Sequence, residues 1–363
     1  MSLKISLLSQ NGLSHNFEKS DEIIDINNFN PDIFVEMTQE DGRRPEFNVD
    51  GQLLQFSTPM LYENPLVSSL HNSFNKFNVV LKIYSKKGIK VTQLEHGKIK
   101  LQSRDGVFWS FISNFITTKG AVYTKILVDG KQILFVNMHL ASNIGEMGNK
   151  IRKKCLISVI KQLIKKNILD TDTTLIIGGD LNFRIESGIK LDQLTEFLKT
   201  LNYSNSIQNR RLSEFAFKNE DDKKFTCKFR DIRKTAYKDF KNYSNCRIRK
   251  EPESIDNREE LTDEDSKSID RIQSECGVHD RYPSRCDRFL YSLGKDQDIE
   301  FEKYTGIYLP SVGSDHNAIY ANLILDPEHK GGKKIIINSK IKTNKRKQIK
   351  NKTKKYRQVY LRH

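Results

Sequence analysis

The chain has 363 residues, 37% of them hydrophobic and 29% charged, with a formal net charge of +15. That apolar content is enough to bury a sizeable core and excludes a chain disordered throughout. No apolar run approaches the roughly 20 residues that a membrane-spanning helix needs.

The charge is uneven. Lys330–His363 holds 14 of the 61 Lys and Arg and none of the 46 Asp and Glu, which leaves 47 basic against 46 acidic residues before it. The body is near neutral and the tail is a polycation, so the net charge implies no basic cleft in the body.

In chain order, "MSLKISLLSQNGL" lacks the basic end, apolar stretch and small-residue cleavage site of a signal peptide and reads as a strand. Further β-type runs follow: "DIFVEMT", "NVVLKIYS", "GAVYTKILV", "KQILFVNMHL", "TTLIIGGD", "RFLYSL" and "NAIYANLIL". Some alternate apolar and polar residues, and others are continuous, as strands buried on both faces are. Between Gly148 and Leu169, Ile151, Cys155, Val159 and Leu163 recur at helical spacing, and "LDQLTEFLKTL" predicts a second, shorter helix. Many strands and few helices predict an α/β sandwich, sheets packed together with helices outside.

Two segments break this pattern. Lys250–Asp270 is acidic and nearly devoid of apolar residues, which predicts an insertion, and the tail opens at Gly331 and Gly332. The expected organisation is one domain over residues 1–329, with the acidic insertion near 250–270, followed by a basic, disordered tail over 330–363. Five cysteines without a CxxC pair cannot complete a disulfide framework, and a reducing, intracellular compartment fits them.

The polar residues worth chemistry stand at strand ends. In "LIIGGDLNFRIE", Gly178 and Gly179 allow close backbone approach, and the turn presents Asp180 and Asn182 to one space. An ionised Asp accepts a proton or faces a metal, and an Asn amide donates to a developing oxyanion. An Asx turn explains an isolated D-x-N equally well. Glu40, ending "TQE", suits a hard cation such as Mg²⁺, and a solvated Glu fits the same segment. His139 in "NMHL" can contact or protonate a phosphate oxygen, or stand as a core histidine. In "SDH", Asp315 and His316 point to opposite faces of an extended chain, one toward a metal and one toward substrate. Asp287 in "CDRFLYS" can orient an imidazole or pair with Arg288 at the surface. Five strand ends each delivering an acid, amide or His are better explained by a shared site than by coincidence.

The order of these motifs resembles the endonuclease/exonuclease/phosphatase superfamily of metal-dependent phosphoesterases, and within it the inositol polyphosphate 5-phosphatases. The matching segments are "SQNG", "TQE", "TKGAV", "NMHLAS", "GGDLNFRIE", "FTCKF", "YPSRCDRFL" and "GSDHNAIY", spanning nearly all of Ser9–Tyr320. The resemblance implies a four-layer, DNase I-like α/β sandwich of two packed mixed sheets flanked by helices. It implies that Glu40 binds Mg²⁺, or Mn²⁺ in its place, with Asn11 and Asp315 near the metal. Asp180 would activate or position the attacking water and Asn182 would stabilise the transition state. His316, oriented by Asp287, would hold the scissile phosphate and His139 would assist. Lys119, Arg184, Lys228, Arg285 and Arg288 would add positive charge for the substrate. Three departures stand out: Asn143 replaces a second His, Cys227 replaces the Tyr of a phosphate-contacting Tyr-Lys pair, and Arg285 replaces an aromatic residue.

The implied function is hydrolysis of a 5-phosphate on a soluble inositol phosphate or a phosphoinositide by a monomeric enzyme. A nuclease or tyrosyl-DNA phosphodiesterase on the same fold is the first alternative, and an inactive scaffold is the second. The tail suits either nucleic acid, through counterion release, or an anionic membrane, so it marks a cytoplasmic, membrane-peripheral or nuclear protein without choosing among them.

Overall fold

The computed structural model describes residues 2–11, 28–41, 51–60, 78–101, 119–141, 145–183, 193–201, 211–215, 286–307, 316 and 318–327. The acidic segment near 250–270 and the tail lie outside them. The described strands are β1 Leu3–Asn11, β2 Ile33–Asp41, β3 Gln52–Met60, β4 Asn78–Lys86, β5 Val91–Lys100, β6 Gly120–Val128 and β7 Lys131–His139. After helix α1 (Gly145–Lys165) come β8 Thr173–Asp180, helix α2 (Gln193–Thr200), β9 Ser213–Glu214, β10 Asp287–Ser292, β11 Ile299–Ile307 and β12 Ala318–Leu325. They form two six-stranded sheets, one ordered β11-β12-β1-β2-β4-β3 and the other β5-β6-β7-β8-β10-β9.

Each sheet is mixed in the same way. Its central pair is parallel, β1 with β2 and β7 with β8, and its other pairings are antiparallel. The sheets face each other across a core of Leu3, Ile5, Leu7, Ile33, Val35, Met37, Ile133, Phe135, Ile176 and Phe289 with their neighbours. The opposite face of the second sheet carries α1 and α2, whose Ile151, Leu156, Val159, Leu163 and Phe197 pack on Leu134, Val136, Leu175 and Ile177. The molecule is therefore an α/β sandwich of two mixed sheets, as the mixture of elements predicts.

Alternation along the strands fixes which residues face the other sheet. In β7, Ile133 and Phe135 point inward while Leu134, Val136 and Met138 point toward the helices, so Asn137 and His139 continue the inward series. In β8, Ile176 is inward and Leu175 and Ile177 are outward, which sends Gly178 and Asp180 inward. All eight positions of β8 are buried, as a strand covered on both faces requires. Helix α1 buries Ile151, Cys155, Leu156, Val159, Ile160 and Leu163 and exposes Lys154, Lys161 and Lys165. The chain leaves it through Asn167, whose φ of 56° permits the return bond from Ile168 N to Leu163 O at 2.9 Å.

The two glycines closing β8 are each required, for different reasons. A Cβ on Gly178 would lie 2.3 Å from Met37 Sδ and 2.7 Å from Phe289 Cε1, where the sheets approach. A Cβ on Gly179 would lie 2.1 Å from the Met138 carbonyl oxygen, and its φ of +125° disfavours any L side chain. Gly178→Ala is expected to cost about 1–3 kcal/mol, because the Met37 tip can move. Gly179→Ala is expected to cost about 1–3 kcal/mol more, because backbone strain adds to a clash with backbone. Urea unfolding of the two variants beside the parent measures both, and an equal cost would refute the distinction.

Candidate active site

The parallel central pairs set the location of the site. They carry the carboxyl ends of β1, β2, β7 and β8 to one rim, where the antiparallel β10 and β12 begin. On the inward faces there stand Asn11, Gln39, His139, Asp180 and Asp287, with His316 just ahead of β12. Asp180, Asn182, His139, His316 and Asp287 are each no more than 2% exposed.

Asp180 is the hub. Its Oδ2 accepts hydrogen bonds from Asn11 Nδ2 at 2.8 Å and Asn182 Nδ2 at 2.7 Å, and its Oδ1 accepts from the Asn182 backbone N–H at 3.0 Å. His139 Nε2 lies 3.3 Å and His316 Nε2 4.0 Å from Oδ2. Lys119 Nζ contacts His139 Nε2. Burial by itself raises the Asp180 pKa, but the charge of His316, the hydrogen bond and charge of His139, and the charge of Lys119 outweigh it. Together they hold the carboxyl well below the usual carboxylate range. A buried carboxylate that stays ionised among cationic groups is suited to face a metal or to orient a water.

The two supporting side chains are themselves fixed. Asp287 opens β10 opposite Asp180 in the ladder, and its Oδ2 lies 2.7 Å from His316 Nδ1. With Nδ1 bonded there, Nε2 is the nitrogen turned toward Asp180. Asn182 sits at φ 54°, a left-handed conformation that Asn tolerates, and its amide donates both to Asp180 and to Leu140 O at 3.1 Å. Both acceptors are oxygen, which fixes the orientation of the amide. Asn182 therefore bonds directly to Asp180.

The structure brings Asn11, Lys119, His139, Asp180, Asn182, Asp287 and His316 together. It separates Arg288, which alternation turns toward the helix-bearing face with Leu290 and which pairs with Glu214 Oε1 at 2.8 Å. Glu40 belongs to β2, but its side chain lies outside the described residues, as do Arg184, Lys228, Arg285 and Asp315. Ser9 stands two residues before Asn11 and lies 3.4 Å from Gln39 Nε2, so Asn11 is the one that reaches Asp180.

The Asp180 carboxylate and the amide oxygen of the adjacent Asn11 are oxygen donors of the kind a hard divalent cation takes. Asp180, Asp287 and His316 offer ligand atoms within 4.8 Å of one another, and Asp180 stays ionised as a ligand must. Sequence reading missed two further buried side chains, Gln39 and Asn137, which join the sheets beside this cluster. Their signal was an amide at the end of each apolar run, since a buried amide needs partners.

The lowered pKa of Asp180 has a consequence for stability. A depressed folded-state value contributes stability that is present above the unfolded value, about 3.9, and is lost as pH falls through the folded value. Asp180→Asn is therefore expected to be less stable than the parent at pH 7, with the gap narrowing as the pH drops below about 4. Denaturant unfolding from pH 7 to pH 3 checks this, and a gap that widens in acid would contradict it.

Several solved structures are similar to this chain. The inositol polyphosphate 5-phosphatase domain of SPsynaptojanin, in complex with inositol (1,4)-bisphosphate and calcium ion, matches with a TM-score of 0.50 and 15% identity over 89% of this chain and 84% of that one. D. rerio TDP2 complexed with single strand DNA product gives 0.46 and 15%, over 88% and 98%. The human Nocturnin catalytic domain with bound sulfate anion gives 0.42 and 13%, over 88% and 94%. No curated protein matches the sequence. The model of endonuclease/exonuclease/phosphatase family 2 matches residues 60–322, most of the chain, and the protein belongs to that family.

Proposed function

We propose that this protein is a Mg²⁺-dependent phosphomonoesterase that removes the 5-phosphate of an inositol phosphate or phosphoinositide. The observation that carries the phosphoesterase reading is the ionised Asp180 ringed by His139, His316 and Lys119. The inositide reading rests on the order of "GDLNFRIE" and "PSRCDR" in the sequence, and the match to a 5-phosphatase domain is compatible with it through the fold.

In this reading, Glu40, Asn11 and Asp315, beside Asp180, would hold the cation, which would supply Lewis-acid polarisation of the phosphoryl oxygens and a lower pKa for a bound water. Asp180 would orient the attacking water, whose proton passes to solvent as the new P–O bond forms, while the ester P–O bond breaks and the departing alkoxide takes up a proton from solvent. Asn182 holds Asp180 in place. His316, aimed by Asp287, and His139 with Lys119 bind the phosphoryl oxygens, where negative charge builds. Arg184, Lys228 and Arg285 recognise the rest of the substrate, and Arg288 is left to its pairing with Glu214. Residues 1–329 form the catalytic domain, and 330–363 tether an intracellular protein to an anionic surface.

The test is phosphate release with Mg²⁺ from soluble inositol phosphates and phosphoinositide vesicles, run beside cleavage of single-stranded DNA and RNA. Release from 5-phosphorylated inositides alone is expected, abolished by a chelator and by Asp180→Ala, with kcat reduced about 100-fold or more in His316→Ala. Cleavage of nucleic acid alone would replace the substrate and keep the fold.

Removing Lys330–His363 is expected to leave turnover of a soluble substrate within about twofold and to weaken binding to anionic vesicles, given about 1 kcal/mol per Lys or Arg at the surface. Vesicle sedimentation and initial rates check it. A large loss on the soluble substrate would make the tail part of the catalytic domain.

A further inference from the structure

The residues described so far leave one buried polar device unused. Asn137, fully buried on the inward face of β7, donates through Nδ2 to Thr38 O at 2.9 Å and Val80 O at 2.7 Å in the other sheet. Those carbonyls belong to ladder partners of β2 and β4, immediately before the register shift between Gln39 and Asp41. With Nδ2 committed to two carbonyls, Oδ1 is the acceptor, and Gln39 Nε2 donates to it at 2.6 Å. Gly179, beside Asp180, is kept free of a side chain here, because a Cβ on it would stand 2.8 Å from Asn137 Oδ1.

Gln39 carries a second signal. It is fully buried, and its Oε1 has no hydrogen-bond partner among the described residues. A buried acceptor left unmade costs stability, about 1–3 kcal/mol. An apolar side chain of the same shape would remove that acceptor but take the donor from Asn137 Oδ1, so the number of unpaired acceptors does not by itself favour a Gln here.

We infer that Gln39 and Asn137 form a positioning bracket between the sheets that sets the β2 end, carrying Glu40, against the β7 end, carrying His139. The bracket rests on the proposed phosphoesterase site and names what holds its two halves in register. His139 lies two residues beyond Asn137 and Glu40 one residue beyond Gln39, so the short amide contact ties their backbones at the nearest available point. Misplacing reacting groups by about 1 Å costs on the order of 100-fold in rate, which is the scale on which such a tie acts.

Gln39→Met is the discriminating variant. It deletes the unpartnered Oε1 and leaves Asn137 Oδ1 without its donor, so the number of unpaired buried acceptors stays the same and the melting temperature should change little. Turnover of the substrate identified by the phosphate-release panel should fall about 10- to 100-fold in kcat with KM nearly unchanged. In ¹⁵N-histidine-labelled protein, with His139 assigned by its loss in His139→Gln, the His139 ring signals should shift while those of His316, held by Asp287, stay in place.

Unshifted His139 signals, or a kcat loss accompanied by a proportionate fall in melting temperature, would overturn the bracket. If the parent turns over none of the panel, the proposed function fails, and the histidine spectra still decide the bracket by themselves. If the parent is active and Gln39→Met matches it, the bracket fails and the proposed function stands.

Discussion

Two parallel strands that neighbour each other must both end at the same edge of their sheet, because the chain crosses back between them. Here each sheet has one such pair at its centre, β1 with β2 and β7 with β8, and the carboxyl ends of all four strands meet at one rim. The antiparallel strands β10 and β12 begin where these end, which adds Asp287 and His316 to the same place. Strand alternation then decides which residues point between the sheets, and two to four residues beyond the last inward apolar side chain the series turns polar. Asn11, Gln39, His139 and Asp180 are consequences of that geometry.

A polar rim buried this deeply must satisfy itself. Asp180 gathers Asn11, Asn182 and the nearby His139 and His316, and the positive charge around it overcomes the penalty of burying a carboxylate. Asp287 does for His316 what Asn182 does for Asp180, fixing which atoms face the centre. The result is a cluster whose orientations are set by hydrogen bonds before any substrate arrives, the condition under which fixed charges stabilise a transition state most effectively. The same rim explains the glycines: Gly178 lets the sheets approach, and Gly179 leaves room for Met138 O and Asn137.

The eight strands expected from hydrophobic pattern are the eight interior strands of the two sheets: β1, β2, β4, β6, β7, β8, β10 and β12. The four that pattern does not reveal, β3, β5, β9 and β11, are the four sheet edges. An interior strand is covered on both sides by neighbours and carries the apolar residues that packing demands. An edge strand such as "VTQLEHGKIK" is half exposed, and its conformation is imposed by pairing with β6. Helix α1 was legible because its buried stripe repeats over several turns, and its start shifts only from Gly148 to Gly145.

By itself the sequence determined the sandwich class, the interior strands, both described helices and the identity of Asp180, Asn182, His139, His316 and Asp287 as candidates, since apolar periodicity and polar strand ends are local properties of the chain. Only the tertiary structure decided which of them meet. Asn11 and Asp180 are 169 residues apart in the chain and 2.8 Å apart in space, a distance that no local pattern contains. It also decided that Arg288 turns away to Glu214, that Asn182 bonds to Asp180, and that Gln39 and Asn137 join the sheets. The physical reason is the same in each case: a strand's pattern fixes the side to which a residue points, and only the packing of one sheet on the other fixes what waits there.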